Sequence, residues 1–148
     1  MLAKRAYDIY LRGCGIKRLG HELRSTMNKA LANAIRQDQI VPEDELGKGG
    51  LLLTIVRIKG TAPVNVRQRG PRRFEEIPPS ELQLVARFLL ERHDMNPGSD
   101  EHLRALLECF HLRRLTTQVG TELLEILDRK FSYVDDFVFH DKIGQGIT

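Results

Sequence analysis

Apolar residues recur along this chain at the three-and-four spacing of amphipathic helices, and they do so twice in one register. Ile16, Leu19, Leu23, Met27, Ala30, Leu31 and Ile35 return 96 residues later as Leu112, Leu115, Val119, Leu123, Ile126, Leu127 and Phe131. Upstream, Tyr7, Tyr10, Leu11 and Cys14 have Leu103, Leu106, Leu107 and Phe110 as counterparts, and the basic pair Lys17-Arg18 returns as Arg113-Arg114. Self-similarity at a fixed offset marks a duplicated supersecondary unit.

In the first copy the pattern predicts helices over residues 2–12 and 19–37. Gly13, Cys14 and Gly15 separate them, because glycine tolerates the left-handed backbone of a tight turn. Ile40-Val41 starts a strand, and residues 51–58, apolar on both faces, predict its partner. The loop between them carries Gly47, Gly49 and Gly50 and reads as a wing. Val64 and Val66 alternate as one further short strand. In the second copy Ser80 and Gln83 are spaced as a capping box that opens a helix to about residue 93. Asn96-Pro97-Gly98 stops it. Ser99 caps a helix ending near Phe110, with Asp100-Glu101 at its positive end. Thr116 or Thr117 caps a last long helix reaching about residue 130. A hairpin over residues 133–139, turning at Asp135-Asp136, closes the copy, and the tail after Lys142 is expected to fray.

The expected fold is therefore α+β and mainly helical: two winged helix-turn-helix-like repeats, the first lacking its leading helix. The boundaries are residues 1–66 for the incomplete first repeat, 67–79 for a basic connector and 80–142 for the second repeat. A three-helix core short of one helix leaves an apolar face uncovered, and such faces mark contacts. The second copy, another subunit in a homodimer, or a segment of a longer parent protein is expected to cover it.

At 148 residues and 41% apolar content the chain can bury a core. No apolar run approaches the roughly 18 residues of a membrane span, and residues 1–12 alternate charged with apolar side chains rather than forming a secretory signal. Cys14 and Cys109 sit at nearly equivalent places on apolar helix ends, which predicts reduced core thiols in a cytoplasmic protein. The net charge of +3 conceals an asymmetry: residues 1–73 hold 15 Lys+Arg against 6 Asp+Glu, and residues 74–148 hold 8 against 14. A basic half suits nucleic acid.

The second helix of a helix-turn-helix enters the major groove. In the first copy its outward face carries His21, Ser25, Asn28, Lys29, Asn33 and Arg36, with Arg24 beside them and Lys17-Arg18 at the preceding turn. Arg and Lys serve phosphate or guanine, and Asn serves adenine. Arg67, Arg69, Arg72 and Arg73 of the connector can track a phosphate backbone or pair with Glu75, Glu76 and the acidic second half. The same helix face in the second copy reads Thr117, Gln118, Thr121, Glu122, Leu124, Glu125 and Asp128. Those carboxylates repel phosphate, and the outward leucine favours a protein partner. The five histidines show no ligand spacing, and Gly47-Lys48-Gly49-Gly50 lacks the phosphate-loop pattern and lies between strands. No catalytic residue, metal or cofactor is expected.

The run from Val64 to Arg73, followed by Phe74-Glu75-Glu76-Ile77-Pro78-Pro79-Ser80-Glu81-Leu82, resembles an uncharacterised bacterial domain found near the C-terminus of very large superfamily-one helicase-like proteins. In that family an arginine-containing strand leads into an Ile-x-Pro-x-Glu-Leu/Ile helix start, and a helix-turn-helix follows. Phe110-His111-Leu112-Arg113-Arg114-Leu115 fits its turn loosely, departing from a Gly-Phe pattern at His111 and Leu112. Cys14-Gly15-Ile16-Lys17-Arg18-Leu19-Gly20 fits it better. The resemblance spans about residues 3–134 and implies an accessory module of a DNA-processing machine, with no catalytic residue. The sequence thus favours a non-catalytic DNA-binding module, with a protein-interaction or assembly module as the rival.

Overall fold

The computed structural model describes residues 1–131 and Val134. The chain divides into two compact units, Met1–Pro63 and Val64–Thr148. Together the described residues form a mainly helical α+β protein with five α-helices and one two-stranded antiparallel hairpin. Among them no helix is long and apolar enough to cross a membrane. The predicted hairpin over residues 133–139, with its acidic turn, lies outside the described residues.

In the first unit, α1 (Ala3–Gly13) buries Ala3, Tyr7 and Leu11, three residues spaced by four that face one side of the helix. After the turn, α2 (His21–Arg36) packs Met27, Leu31 and Ile35 with Leu19 against Ala3 and Tyr7. Strands β1 (Ile40–Glu43) and β2 (Ile55–Ile58) pair with Ile40 opposite Ile58 and Glu43 opposite Ile55. Arg57 donates to Glu43 across the hairpin from Nε (3.0 Å) and from a terminal nitrogen (2.7 Å). The segment ahead of α1 adds an antiparallel bridge between Leu2 and Ile55. Met1 and Val56 exchange two main-chain bonds of 2.8 Å there.

Residues 51–58 do not form one strand. Leu51–Leu53 is a 3-10 turn, and only Ile55–Ile58 is extended. The turn lets the consecutive Leu51 and Leu52 both pack on the core of Ala3, Tyr7 and Leu31, which a strand's alternation forbids. Cys14 is exposed and Cys109 half-buried, so only the second cysteine resembles the expected core thiol; both are free.

In the second unit, α3 (Pro79–Arg92), α4 (Asp100–Cys109) and α5 (Thr117–Asp128) share one core. It joins Leu82, Val85, Ala86 and Leu89 of α3 to Leu103, Leu106, Leu107 and Phe110, and to Leu123. His102 is buried within it, and its ring Nε2 lies 3.1 Å from the Ala86 carbonyl, tying α4 to α3. Val64 is buried with Leu84 and Val134, and Val66 packs beside them, but neither valine belongs to a strand. The expected capping box is also absent. α3 starts two residues earlier, with Pro78 rather than Ser80 at its N-cap, and the following Pro79 is preset for a first helical turn. Ser80 is thereby inside the helix and buried, and Gln83 instead donates to the Ile126 and Arg129 carbonyls at the end of α5 (2.5 and 2.6 Å). Ser99 and Thr116 do cap α4 and α5, accepting from the main-chain N–H of His102 and Val119 (3.2 Å each).

The turns of the two helix–turn–helix segments share main-chain bonds at the 96-residue offset seen in the sequence, although Cys14 N–H makes a further bond to the Tyr10 carbonyl that Phe110 does not repeat. Ile16 N–H donates to the Leu11 carbonyl (2.8 Å) as Leu112 N–H does to Leu107 (2.9 Å). Gly15 N–H donates to Arg12 (3.0 Å) as His111 N–H does to Glu108 (2.8 Å). Both turns place one residue in the left-handed region, Gly15 at φ +74° and His111 at φ +53°. α1 and α4 end at equivalent residues, Gly13 and Cys109, and α2 and α5 begin at equivalent residues, His21 and Thr117.

Candidate nucleic-acid interface

The solvent face of α2 gathers most of the residues singled out in the first copy. Lys17 and Arg18 lie on the turn, and His21, Arg24, Lys29 and Arg36 lie along the helix; all six are exposed. Among the described residues no acidic side chain forms an ion pair with Lys17, Arg18, Arg24 or Lys29. Arg36 donates to its neighbour Asn33 on the same face. Ser25 and Asn28 are half-buried. The Tyr7 hydroxyl donates to Asn28 Oδ1 (3.0 Å), so Asn28 keeps its amide donors but has spent its carbonyl on holding α2 to α1. Burial pushes the pKa of the Tyr7 hydroxyl above its ordinary value.

The start of α2 differs from its counterpart in the other unit. Gly20 stands at the N-cap and supplies no side-chain acceptor, whereas Thr116 caps α5. The first amides of α2 therefore point outward beside Lys17, Arg18 and His21, a favourable setting for an anion. Glu22 in that first turn partly offsets it.

The hairpin loop adds a cation that the sequence reading left unassigned. Lys48 is exposed between Gly47 and Gly49, and the loop is held by Gly49 N–H donating to Asp44 Oδ2 (3.3 Å). Its signal was present in the sequence, a lone lysine in a glycine-rich turn.

The connector arginines belong to the second unit, and two of them are structural. Arg72 is only 5% exposed. Its guanidinium donates to Glu81 Oε2 (2.9 Å) and to the carbonyls of Arg67 (2.9 Å), Gln68 (3.2 Å) and Arg69 (3.2 Å). Arg67 donates to the other Glu81 oxygen (2.7 Å). A buried carboxylate is tolerable only with such partners. Arg72 thus spends four of its five N–H donors inside the fold and is itself buried, and Arg67 is committed to Glu81. Arg69 donates to the Arg72 carbonyl (3.0 Å), and Arg73 is exposed, its N–H donating to Glu76 Oε2 (2.8 Å). Glu81 went unrecognised in the sequence because it reads as an ordinary acid in a first helical turn.

On α5 the equivalent face is acidic or neutral. Gln118 donates to Glu122 (3.2 Å), and Leu124 projects into solvent. Three arginines of this unit, Arg69, Arg104 and Arg113, line a half-open cleft of about 750 Å3 at the α4–α5 turn, together with Glu108, His111, Leu112 and Leu115. The Cys109 thiol is pushed up by burial and by neighbouring Glu108, against a smaller lowering from a main-chain hydrogen bond. Among the described residues no three His, Cys, Asp or Glu side chains converge as metal ligands would. Comparison with family models, curated proteins and solved structures finds no match to this chain.

Proposed function

We propose that the chain is a non-catalytic nucleic-acid-binding module whose first unit, a winged helix-turn-helix, lays α2 against DNA. The order helix, tight turn, helix, hairpin, with a further strand segment bridging Leu2 to Ile55, supports that fold reading. The observation that carries the function is the open cationic face: Lys17, Arg18, Arg24 and Lys29, free of acidic partners among the described residues, surround a helix start with no side-chain cap. His21 and Arg36 extend the face, Ser25 and the Asn28 amide face it from the half-buried edge, and Lys48 lies in the wing. Arg69 and Arg73 remain candidate auxiliary contacts; Arg67 and Arg72 act in folding. The second unit, with the same helix, turn and helix, carries Glu122, Glu125 and Asp128 on α5, Glu125 standing where the first has Lys29, and serves as a structural or protein-facing repeat. A cytoplasmic DNA-processing protein of the helicase type is the setting that fits such a module.

Phosphate contacts make affinity fall with salt, by a logarithmic slope of about −0.9 per contact on duplex DNA. Four contacts predict a loss of about a hundred-fold between 50 and 200 mM salt. Fluorescence anisotropy on single- and double-stranded DNA across that range measures it. The triple substitution Lys17→Glu, Arg18→Glu, Lys29→Glu should flatten the slope and weaken binding at least ten-fold, with the helical content unchanged. No binding to either strand form at low salt would refute the reading.

A further inference from the structure

We infer that the cleft at the α4–α5 turn is a binding site for the phosphate group of a small phosphomonoester whose organic part is apolar. Guanidiniums line it from three separate stretches of chain: Arg69 from the connector, Arg104 from α4 and Arg113 from the residues leading into α5. The imidazole of His111 joins them, and Glu108 is the one carboxylate among the described residues that line it. Three fixed positive charges against one negative leave an excess that matches a dianion and overshoots a carboxylate. Guanidinium forks also suit the oxygens of a phosphate, which they engage in pairs. The volume of about 750 Å3 is that of a small-molecule site. Leu107, Leu112 and Leu115 line the same cleft, and a bare ion would leave that apolar surface wet.

The cations of the cleft are not spent on the fold. Arg69 makes one side-chain bond among the described residues, from a terminal nitrogen to the Arg72 carbonyl (3.0 Å), and its Nε is buried without a partner. That bond ties it to Arg72, which Glu81 holds in turn, so one guanidinium is in place before a ligand arrives. Arg104 stands 4.0 Å from the Asp100 carboxylate, at the limit of ion pairing, and both are exposed. Arg113 and His111 are exposed, and neither side chain forms an ion pair among the described residues. His111 also occupies the left-handed region at φ +53°, a conformation that favours glycine. The equivalent residue of the first unit is Gly15, so the turn does not require an imidazole, and His111 is kept there against backbone preference. Asp8 stands where α4 has Arg104, so the turn does not require that cation either.

An extended polyanion fits the cleft less well. α4 and α5, which the turn joins, expose Asp100, Glu101, Glu125 and Asp128, and residues 74–148 hold 8 Lys+Arg against 14 Asp+Glu. A cationic cleft in an acidic surface admits one phosphate and repels the next ones of a strand. The cleft lies wholly in the second unit, and the inference stands whether or not the first unit binds DNA.

The test is an amide chemical-shift titration of the full chain by NMR at neutral pH, with phenyl phosphate as the probe. Benzenesulfonate tests the second charge, and inorganic phosphate tests the apolar part. Phenyl phosphate should shift the amides of Arg69, Arg104 and residues 111–115 with a Kd of about 1 mM or below, at least ten-fold tighter than either control. Arg113→Ala and His111→Gly alter exposed side chains, and each should weaken phenyl phosphate about ten-fold while the remaining amides keep their positions. No saturable shift at these amides up to about 10 mM phenyl phosphate overturns the inference. Equal affinity for phenyl phosphate and either control, or unchanged binding in both variants, does so as well. A last arm titrates an end-phosphorylated oligonucleotide into the Lys17→Glu, Arg18→Glu, Lys29→Glu chain. Tighter binding of that strand than of phenyl phosphate at the same amides would assign the cleft to a nucleic-acid end and overturn the inference.

Discussion

The two units share a turn and differ in what lies on top of it. In the first, three residues, Ala3, Tyr7 and Leu31, form the fully buried cluster, and Tyr10 and Cys14 of the neighbouring seam meet solvent. In the second, a third helix lies on the equivalent seam, and ten residues are buried together. The helix–turn–helix is thus set by main-chain bonds that both units satisfy alike, whereas core size depends on a covering helix that only one unit has. Surface chemistry divides along the same line: one unit has a large core and a buried Glu81–Arg72 pair, the other a small core and an exposed cationic face on α2.

The comparison can be broken first at the paired charges. Glu81→Ala leaves the Arg72 guanidinium buried without its carboxylate and should cost the second unit about 3–5 kcal/mol. Urea unfolding followed by circular dichroism reads this as a large drop in midpoint. A loss under about 1 kcal/mol would mean that Arg72 and Arg67 are sufficiently solvated without Glu81. The next test sets equivalent residues against each other. Leu106→Ala should cost about 2–5 kcal/mol, because Leu106 is fully enclosed. Tyr10→Ala should change stability by less than about 0.5 kcal/mol. Similar costs for the two would show that the Tyr10 seam is covered within the isolated chain. The smallest effects concern the turn itself. Gly15→Ala puts a Cβ into a left-handed residue and should cost about 1–2 kcal/mol. His111→Gly relieves that same conformation and should stabilise the second unit by up to about 1 kcal/mol, less the added chain entropy. Equal and opposite shifts in melting temperature would establish that the turns are energetically alike; a destabilised His111→Gly would assign the imidazole a contact worth more than the strain.

Much of the helix–turn–helix was legible because its determinants are local. The apolar spacing, the glycines at 13 and 15, and the Ser99 and Thr116 caps lie within a few residues of what they control. The five helices and the hairpin followed from them. The failures involve partners distant in sequence. Glu81 finds Arg72 and Arg67 nine and 14 residues away, so the capping-box spacing of Ser80 and Gln83 was outweighed by burial and by bonds to α5. Leu51 and Leu52 read as strand by propensity, yet one small core required both on the same side. Cys14 read as core because it lies on the apolar side of its helix end, but no overlying helix covers it as α3 covers the equivalent end of α4. The cationic face of α2 was visible from charge and period, but the withdrawal of Asn28's carbonyl depended on Tyr7, and the fate of the connector arginines on Glu81.

The main-chain bonds that the two turns share have a consequence for what their surfaces can carry. A bend written in carbonyls and amides asks only that one position accept a left-handed residue, and leaves most outward side chains, Asn28 excepted, without structural duty. Lysine and aspartate can then change places on that exterior with little penalty to the bend, so two such turns can carry opposite polarity on a common skeleton.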